Sequence, residues 1–292
     1  MSKISSNKLI LGTVQMGLNY GVNNSSGQVS LNDSFKILNY AFENGITTLD
    51  SAEAYGNAHE VIGKFHQENP NKKFKIITKL PKDINGHISK KVDTYLIDLN
   101  ISHIEVLMFH SYESYNNNIE KFNLLKQLKI NNKIKSIGVS VYTNDEIEKV
   151  LINDDVDVIQ VPFNLLDNAN LRETILIKAK SEGKIIHTRS ALLQGLFFKD
   201  KNDSNKIVQN LKNELILLSH ISKRDNASIL QLALSYCLKQ KYIDNVIIGV
   251  DSLNQLVDNL DTLNYNLKQK TLESINTINV KNLDFINPSL WN

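Results

Sequence analysis

Short apolar runs rich in β-branched residues recur eight times along the chain, each separated from the next by segments of helical period. They read "KLILG" at 8–12, "GITTLD" at 45–50, "FKIITK" at 74–79, "IEVLMFH" at 104–110, "IKSIGVS" at 134–140, "DVIQV" at 157–161, "KIIHT" at 184–188 and "NVIIGV" at 245–250. Runs that are apolar at consecutive rather than alternate positions suit strands buried on both faces of a parallel sheet. Between the first two, Leu31, Phe35, Leu38 and Phe42 form a helical stripe, with Ser30 and Asp33 as a capping pair and Gly45 as the stop. Ile119, Phe122, Leu125 and Leu128 form a second inward stripe, and "LRETILIKAKSEGK" a third helix that ends at Gly183. Eight such alternations predict an α/β fold, a (β/α)8 barrel built as one domain over residues 1–292. A doubly wound sheet would also alternate, but "LGTVQMGLNYG" after the first run lacks the glycine fingerprint that opens into a helix.

The spacing is regular except between the seventh and eighth runs. There, 191–225 predicts an exposed loop at 199–206 and an extra helix near 207–222, ahead of another at 227–239. An insertion after a barrel strand sits at the mouth, where ligands bind.

Composition narrows the function classes. The net charge is +2 and the lysines are interleaved with acids, so nothing marks a nucleic-acid or membrane partner. The one cysteine, Cys237, lies in "ILQLALSYCL" and reads as a buried structural thiol in a reducing compartment. The amino-terminal apolar stretch of four residues is too short for a signal peptide, and a cytoplasmic location is expected. The remaining histidines, His59, His66, His87, His103, His187 and His220, show no metal-ligand spacing, and no metal is expected. Asp154 and Asp155 read as a solvated helix end.

In a barrel the C-terminal ends of the strands face the active site. Asp50 closes the second run, Lys79 the third and His110 the fourth, and Tyr55 follows in the loop after the second. A phenol is a weak acid, with a pKa near ~10, and a lysine cation against its oxygen would lower that value. Asp50 would pair with Lys79, and His110 would orient a carbonyl oxygen by hydrogen bonding. Together they form a proton donor aimed at an oxygen becoming alkoxide-like, which carbonyl reduction requires. Singly, each has a plainer reading as a turn or packing residue; the alignment on consecutive strand ends is what distinguishes them.

"TLDSAEAYGNAHEVIG" resembles the signature of the aldo-keto reductases, with Asp50, Ala52, Tyr55, Gly56, Glu60 and Gly63 at the matching positions. "ITKL" carries the family lysine as Lys79, "LMFHSY" the histidine as His110, and the likeness runs from about residue 8 to 263. It implies a barrel that binds NADPH or NADH, with Tyr55 as general acid, Lys79 and Asp50 tuning it, and His110 orienting the substrate. It also implies that Ser140 and Gln160 hold the nicotinamide amide, although Val141 replaces the family asparagine. Arg189, with Ser190 beside it, stands where many members place an aromatic residue under the nicotinamide ring. Gly249 and Gln255, with Asp251 nearby, replace the residues that commonly hold the 2′-phosphate of NADPH, which leaves NADH open. Ser252 and Asn259 are the implied adenosine-side contacts, and the tail around Trp291 is placed to fold across the pocket.

The resulting expectation is a reductase of an aldehyde or ketone, a sugar or sugar derivative among them, acting as a monomer or weak homo-oligomer. Loops 17–29, 111–118 and 191–206 would choose the substrate. A cofactor-binding regulatory subunit without catalysis, or a barrel isomerase or lyase, would use the same residues differently.

Overall fold

A computed structural model describes residues 8–84 and 86–291; the amino-terminal reading above falls largely on residues 1–7, outside them. Eight parallel strands run β1 Leu9–Gly12, β2 Thr48–Asp50, β3 Lys75–Leu80, β4 Ile104–Phe109, β5 Ile134–Ser140, β6 Val158–Pro162, β7 Ile185–Arg189 and β8 Asn245–Ile248. Each pairs with the next in chain order, and β8 returns to β1, closing the barrel. The (β/α)8 architecture read from the sequence is what forms.

Two cores divide the labour. Ile10, Ile77, Val106, Met108, Val158 and Ile247 make a small cluster of their own, separate from the large cluster that packs strands against helices. The small cluster is the barrel interior, and it marks the inward phase of β1, β3, β4, β6 and β8. Side chains alternate with period two, so inward Ile77 brings Lys79 inward, Met108 brings His110, and Val158 brings Gln160. The same register pairs Gly12 with Asp50, Ser140 with Gln160 and Pro162 with Arg189. Gly138 completes the interior on β5. A Cβ there would lie 2.9 Å from Met108 Cε and 3.1 Å from the Val158 carbonyl oxygen, so the missing side chain makes room for Met108.

Several local readings shift. The second run begins as a turn, with Gly45 at φ 85°, and only Thr48–Asp50 is strand. The helix Leu31–Glu43 is capped by Ser30, whose oxygen accepts from the Asp33 N–H. Its buried face is centred on Ile37, Leu38 and Ala41, while Leu31 is 45% exposed, because the expected stripe sits to one side of the true contact line. Ile119 is 52% exposed; it belongs to a separate 3-10 turn, and the helix that buries Phe122, Leu125 and Leu128 starts at Phe122. Between β7 and β8 the extra helix is two, Lys206–Asn210 and Lys212–Asp225, broken at Leu211. The next helix, Ile229–Lys239, buries Cys237 and is capped by a Ser228–Gln231 box. No helix among the described residues is long and apolar enough to cross a membrane.

Candidate active site

Asp50, Tyr55, Lys79 and His110 meet at the C-terminal mouth of the barrel, lining one cavity of about 560 Å³. The Lys79 ammonium donates to Asp50 Oδ1 at 2.5 Å and to the Ser51 carbonyl at 3.0 Å. Asp50 and Lys79 are 4% and 1% exposed. Gln160 donates from Nε2 to the other Asp50 oxygen at 2.8 Å, so both carboxylate oxygens are engaged. Buried charges are tolerable only when paired and hydrogen-bonded in this way.

Tyr55 sits above this pair. Lys79 Nζ lies 5.1 Å from the centre of its ring, and the His110 ring packs edge-on at 5.8 Å. The expectation that Lys79 lowers the phenol pKa is not met by this geometry. Burial pushes Tyr55 well above the usual phenol range, the Asp50 carboxylate pushes it further, and Arg189 opposes them. The reason is that the lysine charge is committed to Asp50. Burial, helped by the Lys79 charge, lowers His110 to about 4. Its imidazole is therefore neutral at pH 7, with one N–H to donate and no charge to add.

The loop that carries Tyr55 is tied down at both sides. Glu53, midway between Asp50 and Tyr55, donates its N–H to the Lys79 carbonyl at 3.1 Å. Its carboxylate accepts from Lys91 at 2.9 and 3.1 Å and from the Tyr95 hydroxyl. Behind it, His59 Nε2 pairs with Thr78 Oγ1 at 2.8 Å. His66 is also accounted for: its Nε2 accepts from the Phe74 N–H, which leaves Nδ1 as donor to the Leu99 carbonyl.

Of the other residues anticipated at the site, Ser140, Gln160, Arg189, Ser190, Gly249, Gln255 and Asn259 line the same cavity. Ser252 does not; its hydroxyl caps the helix Leu253–Asp261, accepting from the Gln255 N–H at 3.3 Å. Arg189 is held rather than free. Its guanidinium lies 4.0 Å from the centre of the Tyr142 ring and donates to the Val141 carbonyl at 3.1 Å. His187, inward on β7 and lowered to about 4 by burial, lies below the cavity with no partner for Nδ1.

Tyr142, Tyr20 and Phe198 are the aromatic lining residues that sequence reasoning passed over. Tyr142 lies two positions beyond Ser140, which the period of β5 carries toward the mouth. Its carbonyl accepts from Arg172 at 2.6 Å, and Arg172 forms a buried ion pair with Asp167 at 2.5 Å. Tyr20, from loop 17–29, accepts from Gln194 Nε2 at 2.9 Å and so joins the first mouth loop to the loop after β7. That later loop carries Ser190, Leu193 and Gln194 at positive φ, a strained backbone of the kind found at functional sites. Loop 111–118 contributes nothing to the lining; Tyr115 there packs on Phe109 and Phe122. From the tail, Pro288 and Ser289 reach the cavity, while Trp291 packs partly buried against the core.

A closed eight-stranded barrel with a buried acid–lysine pair, a phenol and an imidazole at its mouth defines a class of barrel oxidoreductases. Residues 8–280 match the Aldo/keto reductase family, and the chain belongs to it. A probable aldo-keto reductase 1 from Glycine max is 26% identical, with 83% of this chain and 78% of that protein covered. The NADH-specific methylglyoxal reductase of Escherichia coli is 25% identical, covering 76% of this chain and 80% of the other. The L-galactose dehydrogenase of Arabidopsis thaliana is 25% identical, covering 88% of each. Among solved structures, the holo form of an aldo-keto reductase from Bacillus halodurans superposes with TM-score 0.77 at 19% identity, over 93% of this chain and 92% of that one, and shares the fold.

Proposed function

We propose that this chain reduces an aldehyde or ketone to an alcohol with a nicotinamide dinucleotide, and that Tyr55 donates the proton. The observation that carries the reading is the convergence of Tyr55, the Lys79–Asp50 pair and neutral His110 at one end of a single cavity.

The residues along the rest of that cavity suit the dinucleotide. Buried Gln15 Oε1, Asp251 Oδ1 and Asn259 Nδ2 have no partner, and buried polar atoms are seldom left so unless a ligand completes them. Ser140, Gln160 and Arg189 at the chemical end, and Gly249, Gln255 and Asn259 beyond β8, are the residues that would hold it. The group supplies a hydride when bound.

The chain's own part is proton transfer and orientation. His110 donates its N–H to the carbonyl oxygen, holding it toward Tyr55, and stays neutral through the step. Tyr55 keeps its proton tightly in the resting site and releases it only as negative charge grows on that oxygen. Arg189, which forms no ion pair with a carboxylate among the described residues and draws the Tyr55 pKa down, favours the resulting phenolate. Lys79, locked to Asp50, sets the electrostatic floor beneath the ring. Relatives named for methylglyoxal, L-galactose and L-glyceraldehyde 3-phosphate support a small carbonyl compound as substrate, a sugar or sugar derivative in two of the three cases.

The test is nicotinamide absorbance, followed with NADH and NADPH separately against aldehydes, ketoses and sugar derivatives. Tyr55→Phe is expected to slow oxidation by roughly 10²- to 10⁴-fold while the dinucleotide still binds. Oxidation at the wild-type rate in that variant sinks the proposed donor. Dinucleotide binding without turnover of any carbonyl favours the regulatory reading, and turnover without an absorbance change favours an isomerase or lyase.

A further inference from the structure

The cavity has an uneven charge inventory. Among its described lining residues the cations are Lys79 and Arg189, both at the chemical end, and Lys79 is neutralised by Asp50. The opposite end, where β8 passes into the helix Leu253–Asp261, carries Asp251 and Asp258 and no lysine or arginine.

Asp251 is set in place by Gln255. The Asp251 N–H donates to Gln255 Oε1 at 2.8 Å, and Gln255 Nε2 approaches Asp251 Oδ2 at 3.4 Å. Asp251 Oδ1 is left without a partner. Close by on the helix, Asn259 is 2% exposed and its Nδ2 is likewise unpartnered. This end therefore presents one anionic acceptor and one neutral donor.

Resting on the reductase reading above, we infer that the β8 end of the cavity selects the dinucleotide with a free ribose diol, NADH, and rejects NADPH through Asp251. A nicotinamide that reaches Tyr55 leaves the dinucleotide's other nucleoside for the far end of the cavity. Ribose hydroxyls donate hydrogen bonds, which a carboxylate accepts, as acidic residues do for the ribose in other dinucleotide folds. A phosphate monoester brings acceptor oxygens and about −1.5 to −2 charge at neutral pH. Against Asp251 it meets a like charge, and no lining cation at that end offsets it. Selection of this kind works by repulsion of the wrong ligand as much as by attraction of the right one.

The test is calorimetric titration of the unliganded protein with NADH and with NADPH, at pH 8 and low salt. NADH is expected to bind at least roughly tenfold more tightly, as befits a like charge avoided at close range. Asp251→Asn keeps the shape and removes the charge; it should shrink that ratio several-fold, chiefly by tightening NADPH. Raising the salt concentration should shrink it too, because screening weakens repulsion near a cavity mouth. NADPH binding as tightly as NADH, or tighter, overturns the inference and leaves the reductase reading standing. A ratio unmoved in both Asp251→Asn and Asp251→Ser overturns the assignment to Asp251. Failure of the wild-type protein to bind either dinucleotide overturns the reductase reading and this inference with it.

Discussion

Gly17 and Tyr55 meet backbone to backbone: a Cβ on Gly17 would lie 1.8 Å from the Tyr55 carbonyl oxygen and 2.8 Å from the Ala58 nitrogen. The first mouth loop thus uses a residue without a side chain to let the Tyr55 loop close over the barrel. Neither partner can give way, since both are backbone.

Gly17→Ala should therefore displace the Tyr55 loop while leaving the barrel folded. A displacement of about 1 Å at a reacting group costs on the order of 10²-fold in rate. Steady-state kinetics should show the loss in kcat, with the circular dichroism spectrum unchanged. Wild-type kcat in this variant would mean that the contact does not set the loop.

Lys79 and Asp50 separate stability from chemistry. Lys79→Met leaves a buried carboxylate unpaired and should cost roughly 3–5 kcal/mol in urea denaturation. Adding Asp50→Asn removes the stranded charge and should recover most of that stability. Activity should not return, because the neutral pair supplies no field under Tyr55. A double variant as unstable as the single one would show that the cost is packing rather than charge.

Three histidines make the protein sensitive to acid. His59, His110 and His187 are each lowered by burial to about 4, against about 6.5 in an unfolded chain. Between those values the unfolded state binds protons that the folded state refuses. The stabilisation is therefore complete above pH 6.5 and is lost as pH falls toward 4, by about 1.4 kcal/mol per pH unit for each buried histidine. Urea midpoints of wild type and His59→Asn, compared from pH 7 to 4.5, should diverge less as pH falls. Parallel curves would refute the shift at His59.

Arg172 holds the β5 end of the site from behind. It is bidentate to Asp167 and also donates to the Asn144 side chain and the Tyr142 carbonyl. Arg172→Lys keeps the charge but not the fork, so it should still lose about 2 kcal/mol or more. Full retention of stability in the lysine variant would show that charge alone suffices.

How legible the site was follows from where its information lies. The strand ends could be read because burial on both faces gives each strand a continuous apolar run, and all but the sixth of those runs ended on or just before a polar residue. Asp50, Lys79 and His110 fell out of that rule. Leu31 and Ile119 did not behave as expected because a stripe of apolar residues specifies a face only once its neighbour is known. Tyr20 and Gln194 are 174 positions apart in sequence, and Gln160 and Asp50 are 110 apart; no local pattern records either meeting.

The sequence by itself determined the alternation of strand and helix, and with it the barrel and the residues at its mouth, because side-chain periodicity is a local property. Only the tertiary structure decided how charge is shared there. Lys79 is bound to Asp50 while its ammonium lies 5.1 Å from the centre of the Tyr55 ring, Arg189 lies on Tyr142, and Asp251 keeps an oxygen without a partner. Those outcomes depend on distances between strands and on burial, which exist only once the barrel has closed.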